Sequence, residues 1–344
     1  MSGPLHFGID IGGTKVLGVA LDADDVVVAE ARVPTPHDAA DPPDSARGKA
    51  AVEVADAVGE VVAQLHAFLG SGDRRPEGGG GEAARLLGAG VGVPGMLDRH
   101  GVLRFAPNLQ GASGADVAGL VSARVGDLPV VVENDANCAA IAEHELGAAA
   151  EGDHVLVITL GTGIGGSLVT GGSILVGSSG FAGEVGHMIV DRDGPPCACG
   201  RRGCWERFAS GGGLGRLARE AAYAGQLHEV VALAGGEPDA VRGEHVTRAA
   251  LAGDAGALGV MEELGWWVAL GLANLTAVLD PSRIVLGGGL VEAGEILLAP
   301  TRRSFADLVE GGTVRPPIEI VPAVLGERAG AVGAALASRA GGLG

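Results

Sequence analysis

Basic residues are scarce in this chain: 24 Lys and Arg stand against 42 Asp and Glu, giving a net charge of −18 at pH 7. A surface that binds nucleic acid needs clustered Lys and Arg against the phosphate backbone. The composition therefore argues against a nucleic-acid partner. It leaves room for a small anionic ligand, because backbone N–H groups and a bound metal can supply local positive potential.

Long apolar runs are also missing, although 47% of the residues are hydrophobic. No run reaches the roughly 18 uncharged apolar residues of a membrane-spanning helix. The N-terminal residues have no basic start followed by an apolar run and a small-residue cleavage site, since they read MSGPLHFGIDIGG. We therefore expect a cytoplasmic protein with no membrane partner. A length of 344 residues predicts two domains or one large one.

Cysteine is scarce as well, yet three of the four cysteines lie within one ten-residue loop, CACGRRGCWE at 197–206. In a cytoplasmic protein, clustered cysteines indicate a metal more than a disulfide. We predict that one upstream histidine and the three thiols bind zinc. Four protein ligands complete a tetrahedral site and leave no position open for catalysis, so the zinc would be structural. The predicted ligands are His187, Cys197, Cys199 and Cys204. The alternatives are reduced thiols in a glycine-rich loop and a zinc-ribbon module, whose paired C-x₂-C knuckles are absent. Cys138, at a predicted helix start, is expected to be buried and structural.

Zinc would fix an otherwise flexible, glycine-rich segment and hold Glu184, His187 and Glu206 in constant relative positions. One histidine nitrogen could bind zinc while the other donates to a ligand. Two carboxylates and an imidazole suit a neutral polyhydroxyl ligand, because each sugar O–H can donate to a carboxylate.

Glycine clusters follow apolar strands at three places, within residues 5–22, 154–172 and 283–291. In the first two the chain resumes a strand-like run, which predicts hairpins and two similar α/β halves. Gly161, Gly163 and Gly166 fit G-x-G-x-x-G, but a dinucleotide fold needs a helix after them, and SLVTGGSILVG reads as a strand. The better interpretation is that the turns cradle nucleotide phosphates with backbone N–H groups. Plain glycine hairpins are the alternative.

Polar residues crowd the end of the buried strand at 130–132, in the order Glu133-Asn134-Asp135-Ala136-Asn137. Asn134 or Asp135 could simply cap the helix that follows, expected from about 136 to 149. Capping needs only one such side chain, however, and ligands of open α/β sheets bind at this strand edge. We favour a catalytic Asp135 that accepts the proton of a substrate hydroxyl during attack on phosphorus.

Five motifs together resemble the ROK family of sugar kinases, over nearly the whole chain and in the family's order: DIGGTK (10–15), ENDAN (133–137), LGTGIGGS (160–167), EVGH (184–187) and CACGRRGCWE (197–206). Within the family the chain looks most like the ATP-dependent, zinc-containing glucokinases, and FAPNLQG at 105–111 supports this. The resemblance implies an α/β, actin-like ATPase (ribonuclease H-like) fold with two α/β domains around a central cleft. We expect residues 1–132 plus 322–344 in one domain and 133–321 in the other.

The resemblance also implies the reaction, transfer of the ATP γ-phosphoryl group to the 6-hydroxyl of glucose or a related hexose, with Mg²⁺ and a structural Zn²⁺. Asp135 is then the base. The implied sugar contacts are Asn108, Asn134, Asp135, Glu184, His187 and Glu206. The implied nucleotide-binding residues are Asp10, Gly12, Gly13, Thr14, Lys15, Thr162, Gly163, Gly165 and Gly288. Family members are usually dimers or tetramers, so a homodimer or homotetramer is expected.

Two rival functions stay open. The substrate could be N-acetylglucosamine, N-acetylmannosamine, mannose or fructose, because one sequence does not reveal the pocket around the sugar 2-position. The chain could instead be a non-catalytic sugar sensor or regulator. The DNA-binding branch of the family carries a helix-turn-helix ahead of DIGGTK, and that motif here begins at Asp10, so we expect no such domain.

Overall fold

A computed structural model describes residues 3–36, 48–70, 85–106, 109, 111–150 and 152–343. The chain divides into two compact units. The first contains residues 1–150, 173–183 and 325–344, and the second contains 151–172 and 184–324. Among the described residues, no helix is both long enough and apolar enough to cross a membrane.

The first unit is a sheet covered by helices on both faces. Its strands are β1 (Pro4–Ile11), β2 (Lys15–Leu21), β3 (Val27–Pro34), β4 (Arg85–Val93), the short β5 (Met96–Leu97), β6 (Val102–Phe105) and β7 (Ala115–Asp116), and β8 (Val130–Asn134). Its helices are α1 (Lys49–Gly70), α2 (Val117–Val125), α3 (Asp135–Leu146) and α10 (Ala329–Ala340).

The main sheet of this unit has the strand order β3-β2-β1-β4-β8. β1 runs antiparallel to β2 and parallel to β4, and β4 runs parallel to β8. Helix α1 carries apolar residues at helical spacing, including Val54, Val58 and Leu65, and these are buried with Phe7 and Ile9 of β1. On the other face, Leu17 and Val19 of β2 share a core with residues of α3 and α10.

The second unit repeats the same arrangement of four strands. Its strands are β9 (His154–Leu160), β10 (Ile164–Thr170), β12 (Arg283–Gly287) and β13 (Glu319–Pro322). The short β11 (Ser173–Ile174), which follows β10 in the chain, belongs to the first unit. Its helices are α4 (Glu206–Ala209), α5 (Gly211–Tyr223), α6 (His228–Leu233), α7 (Gly243–Leu251), α8 (Ala255–Leu279) and α9 (Glu295–Leu308). β9 pairs antiparallel with β10 and parallel with β12, which pairs parallel with β13.

One core fills the second unit, formed by β9, β12 and the apolar sides of α5, α7, α8 and α9. At its centre the fully buried Trp205 donates from its indole Nε1 to the Trp267 carbonyl at 2.7 Å. Gly271 of α8 lies against this indole, where an added Cβ would be 2.0 Å from the ring. The pair fixes the start of α4, directly after the cysteine loop.

The boundary between the units differs from the expected one. Residues 133–150 were assigned to the second domain, but α3 packs against α10 so closely that a Cβ on Gly333 would lie 1.7 Å from the Cys138 carbonyl oxygen. This helix therefore belongs to the first unit, whose first stretch ends at Ala150, whose second is 173–183 and whose last begins at Leu325 rather than at residue 322.

Most expected elements are present with small shifts of their ends. The apolar patterns of the sequence also predict helices at 49–69, 254–279 and 327–340, and these helices and the two glycine hairpins are all found. The Gly-rich, charged stretch at 71–88 predicts a surface loop, and this prediction is wrong for its last residues, since Arg85 and Leu86 pair with Pro4 and Leu5 as the start of β4. Residues 71–84 lie outside the described residues. Cys138 is fully buried, as predicted.

Candidate active site

The first glycine turn joins β1 to β2 in the first unit. It closes with a hydrogen bond of 2.9 Å from the Gly12 N–H to the Lys15 carbonyl. The Thr35 hydroxyl donates to the Gly12 carbonyl at 2.7 Å, which fixes the base of the turn. Gly13 and Thr14 are exposed, and a Cβ on Gly13 would meet nothing within 4 Å. The turn thus offers open backbone to an anion, as a phosphate-binding turn requires.

Asp10 lies two residues before this turn, with its carboxyl group packed against Gly330 of α10. Across the sheet it faces Gly92, and a Cβ on Gly92 would lie 3.4 Å from Asp10 Oδ1 and 3.6 Å from the Cα of Asp135. Burial and, to a smaller extent, the nearby Asp135 carboxylate together raise the pKa of Asp10 to about 7, and Lys15 opposes both effects. The structure therefore brings together two carboxyl groups that are 125 positions apart in the sequence.

The strand end at 133–137 resolves the question of capping. Asn134 is the N-cap of α3, and its Oδ1 accepts from the N–H groups of Ala136 at 2.9 Å and Asn137 at 3.1 Å. Its amide group donates to the Gly95 carbonyl and to Asp135 Oδ1, each at 3.1 Å. Asp135 is the first residue of the helix, and its Oδ1 also accepts from the Ala136 N–H at 2.9 Å. Asn134 is therefore the capping residue, and the Asp135 carboxyl group lies beside it at the same strand end.

The second glycine turn, between β9 and β10, lies in the second unit. The Gly161 N–H donates to the Gly163 carbonyl at 3.0 Å, and strand β10 follows from Ile164. The dinucleotide-fold alternative fails here, because no helix begins at these glycines. A Cβ on Gly163 would lie 2.8 Å from Glu206 Oε2, so this turn lies directly against the end of the cysteine loop.

Gly288 follows β12 in the same unit, with a φ of +86° that favours glycine. A Cβ there would lie 2.5 Å from the Leu160 carbonyl oxygen, so only glycine lets this backbone approach the end of β9. Thr162 and Gly165 lie on the second turn and on β10. The predicted nucleotide residues of the second unit are thereby gathered at the glycine-rich ends of two adjacent strands.

The cysteine loop brings one ligand atom each from His187, Cys197, Cys199 and Cys204 within 4.8 Å of one another. Cys199 and Cys204 have their Sγ atoms 3.5 Å apart, and Cys197 Sγ is 3.7 Å from His187 Nδ1. A Zn–S distance of about 2.3 Å puts two sulfur ligands of a tetrahedron about 3.8 Å apart. The four donors therefore fit a tetrahedral zinc ion.

The thiols of this cluster differ in acidity. Burial raises the pKa of Cys197 and Cys204, and hydrogen bonds with Glu206 and with Cys199, respectively, add to the effect. Burial works to raise the pKa of Cys199 too, but donation from the Arg201 N–H and the neighbouring thiols brings it below the usual value. Cys199 is thus the thiol most easily ionised before a metal binds, and zinc requires all three as thiolates.

His187 lies between the cysteines and two carboxylates. Its Nδ1 is 3.7 Å from Cys197 Sγ and 3.7 Å from Glu206 Oε1, while its Nε2 is 3.8 Å from Glu184 Oε2. Burial raises the pKa of Glu184, His187 lowers it, and the Glu206 carboxylate raises it. Nδ1 of the ring therefore faces the cysteines and Glu206, and Nε2 faces Glu184.

Each unit carries its own part of the predicted site. The first unit has Asp10, Gly12, Gly13, Thr14, Lys15, Asn134 and Asp135. The second unit has Thr162, Gly163, Gly165, Glu184, His187, Cys197, Cys199, Cys204, Glu206 and Gly288. Asn108 lies outside the described residues.

Sequence reasoning missed two features. Helix α5 begins with three glycines beside the second turn, where the Gly211 N–H donates to the Gly161 carbonyl at 2.8 Å. The run Ser210-Gly211-Gly212-Gly213 was its signal, since Ser210 is the N-cap. The other feature is Glu327, which forms an ion pair with Lys15 of the first turn. No local pattern links residues that lie 312 positions apart.

Comparison with known proteins gives a consistent result. Residues 80–340 match the sequence model of the ROK family. The chain is 36% identical to the glucokinase of Streptomyces coelicolor over 338 residues, or 96% of each chain. It is 37% identical to a ROK family glucokinase from Streptomyces griseus whose crystal structure contains glucose and AMPPNP, with a TM-score of 0.82 over 98% of this chain and 99% of that one. The xylose repressor of Bacillus subtilis is 28% identical over 273 residues, 79% of this chain and 64% of the repressor.

This chain belongs to the ROK family. The expected α/β, actin-like ATPase fold built from two α/β domains is confirmed by the repeated sheet topology and by the agreement with the Streptomyces griseus structure.

Proposed function

We propose that this sugar kinase transfers the γ-phosphoryl group of ATP to the 6-hydroxyl of glucose. The observation that carries the proposal is Asp135, an aspartate at the carboxyl end of the half-buried strand β8, directly after Asn134, which caps the helix that follows. The glucokinase relatives, which cover 96–98% of the chain, support glucose as the acceptor. A ROK kinase for N-acetylglucosamine, N-acetylmannosamine, mannose or fructose is the alternative within the same class.

In this proposal Asp135 is the general base. It accepts the proton of the attacking hydroxyl while the backbone N–H groups of the glycine turns stabilise charge on the phosphates of Mg-ATP. In the first turn, the residues that we assign to phosphate binding are Gly12, Gly13, Thr14 and Lys15. In the second unit, the residues that we assign to nucleotide binding are Thr162, Gly163, Gly165 and Gly288.

We assign sugar contacts to Glu184, His187 and Glu206 in the second unit and to Asn134 in the first, with Asn108 as a further contact from the sequence resemblance. Carboxylates suit this role because they accept hydrogen bonds from sugar hydroxyls. Zinc is proposed as a structural ion on His187 and the three cysteines, where it would orient the imidazole through Nδ1. The free thiols agree with a cytoplasmic protein, in which thiols stay reduced.

The test is an ADP-release assay with Mg-ATP against glucose, mannose, fructose, N-acetylglucosamine and N-acetylmannosamine. Asp135→Asn should lower kcat by a factor of about 10²–10⁴, the usual contribution of a general base, while sugar binding changes less. Asp24→Asn, in an exposed turn, is the control and should keep full activity. Normal turnover of the Asp135 variant would reject the assignment, and preference for another sugar would change the substrate alone.

A sugar-responsive regulator is the second candidate, because the xylose repressor matches 79% of this chain. No turnover on any sugar by the folded, zinc-loaded protein, together with a DNA gel shift, would favour it. Turnover without a gel shift would remove it.

A further inference from the structure

Five charged side chains of the first unit form a continuous row, which we call the charge row. Lys15 Nζ pairs with Glu327 Oε2, and Glu327 Oε1 accepts from Arg32 Nη2. Arg32 also donates to Glu30 Oε1 at 2.6 Å, and Arg328 Nε donates to Glu30 Oε2 at 2.7 Å. Signs alternate along the row, with three cations and two anions.

The secondary structure fixes this order. Side chains alternate along a strand, so Glu30, Arg32 and Pro34 project from the same side of β3. Lys15, the first residue of β2, lies opposite Pro34, at the end of this series. Glu327 lies in the short turn of 3₁₀ helix at 326–328 that precedes α10. The row therefore connects the first glycine turn to the entry of the C-terminal helix.

Folding stability gains little from the Lys15–Glu327 pair. The Lys15 and Glu327 side chains are 39% and 48% exposed, and ion pairs this exposed contribute little to folding. The hydrogen bonds from Lys15 and Arg32 hold the pKa of Glu327 below its usual value, so the carboxylate stays ionised near neutral pH.

We propose that Glu327 competes with nucleotide phosphates for Lys15 and thereby weakens nucleotide binding. This inference rests on the proposed function, in which Lys15 serves the phosphate-binding turn. A phosphate that takes Lys15 leaves Glu327 with Arg32 as its partner, so the exchange leaves no carboxylate unpaired. Weaker binding of the product ADP would speed its release, a step that limits the rate of many enzymes.

The test is calorimetric titration of the full-length, zinc-loaded protein with ADP and with AMPPNP. Glu327→Gln keeps the shape and an oxygen acceptor but removes the charge. It should bind ADP about two- to fivefold more tightly, the range that an exposed ion pair allows. Lys15→Met should bind more weakly. In the Lys15→Met background, Glu327→Gln should change affinity by less than the single variant does, as required if the effect passes through Lys15.

Glu30→Gln is the matched control, because it removes one carboxylate from the same row without touching Lys15. It should leave ADP affinity unchanged. Unchanged or weaker binding by Glu327→Gln overturns the inference, as does an equal gain in Glu30→Gln or in the Lys15→Met background. If the wild type binds ADP but phosphorylates no sugar, the proposed function fails while these titrations still decide the role of Glu327. If it binds no nucleotide, both fail.

Discussion

The two units contain the same four-stranded arrangement, a glycine hairpin followed by two parallel strands, but they support it differently. In the first, β1 and β4 lie against α10, a helix rich in alanine and glycine: a Cβ on Gly8 of β1 would lie 1.9 Å from the Ala331 carbonyl oxygen, and one on Gly90 of β4 would lie 1.8 Å from the Ala334 carbonyl oxygen. In the second, β9 packs on a core of large side chains that includes Trp205, Leu214 and Leu264.

The hairpins also differ in charge. Asp10 lies two residues before the first turn and Thr159 lies two residues before the second, and each faces a glycine of the neighbouring parallel strand, Gly92 or Gly287. The charged groups of the second unit's site come instead from the cysteine loop, which brings Glu206 to Gly163. One topology can therefore carry different chemistry, because the hairpin supplies backbone N–H groups and the surrounding elements supply the side chains.

Close helix packing in the first unit predicts the largest effect. Gly333→Ala should lower the free energy of unfolding by more than about 3 kcal/mol, because its Cβ would lie 1.7 Å from the Cys138 carbonyl oxygen. Gly259→Ala in α8 is the matched helical glycine of the second unit, where a Cβ meets nothing within 4 Å. It should raise stability by about 0.5–1 kcal/mol. Urea unfolding measures both, and effects of equal sign would contradict the comparison.

Asp10 predicts a pH dependence that the neutral Thr159 does not share. The pKa of Asp10 is about 7 in the folded chain and 3.8 without the fold, so the folded state holds a proton that the unfolded state has lost. Stability contributed by this group is present below about pH 4 and is lost as pH rises to about 7.

Between pH 5 and 8 that loss amounts to about 2–3 kcal/mol. Asp10→Asn should therefore gain stability relative to wild type by this amount as pH rises over the same interval, measured by urea unfolding at both values. Asp24→Asn is the exposed control. A difference between Asp10→Asn and wild type that does not depend on pH would show that Asp10 is already ionised at pH 5.

Metal removal should affect the second unit's loop alone. Extraction of zinc, or Cys199→Ser, should weaken glucose binding about tenfold, since ligand loss releases Glu184, His187 and Glu206 from their fixed positions. Hydrogen exchange should increase within residues 184–206 and stay unchanged within β1 and β2. Cys138→Ala is the matched cysteine control and should retain zinc. Unchanged glucose affinity in metal-free protein would reject the proposed role of the ion.

The sequence by itself determined the local features of this protein. Alternating and helical apolar patterns predicted the hairpins and the main helices, and residue spacing predicted the His187 and cysteine set, because these features depend on neighbours within about twenty positions. The same local reasoning left open whether Asn134 or Asp135 caps α3, since both side chains have the required chemistry.

Only the tertiary structure decided the long-range pairings. It placed α3 in the first unit, set Asp10 beside Asp135, and joined Lys15 to Glu327. The physical reason is that these contacts follow from strand register and from the close approach of α10 to β4 at Gly90 and to α3 at Gly333. Such approaches depend on the absence of a side chain at the glycine, and the sequence does not state which distant backbone that glycine admits.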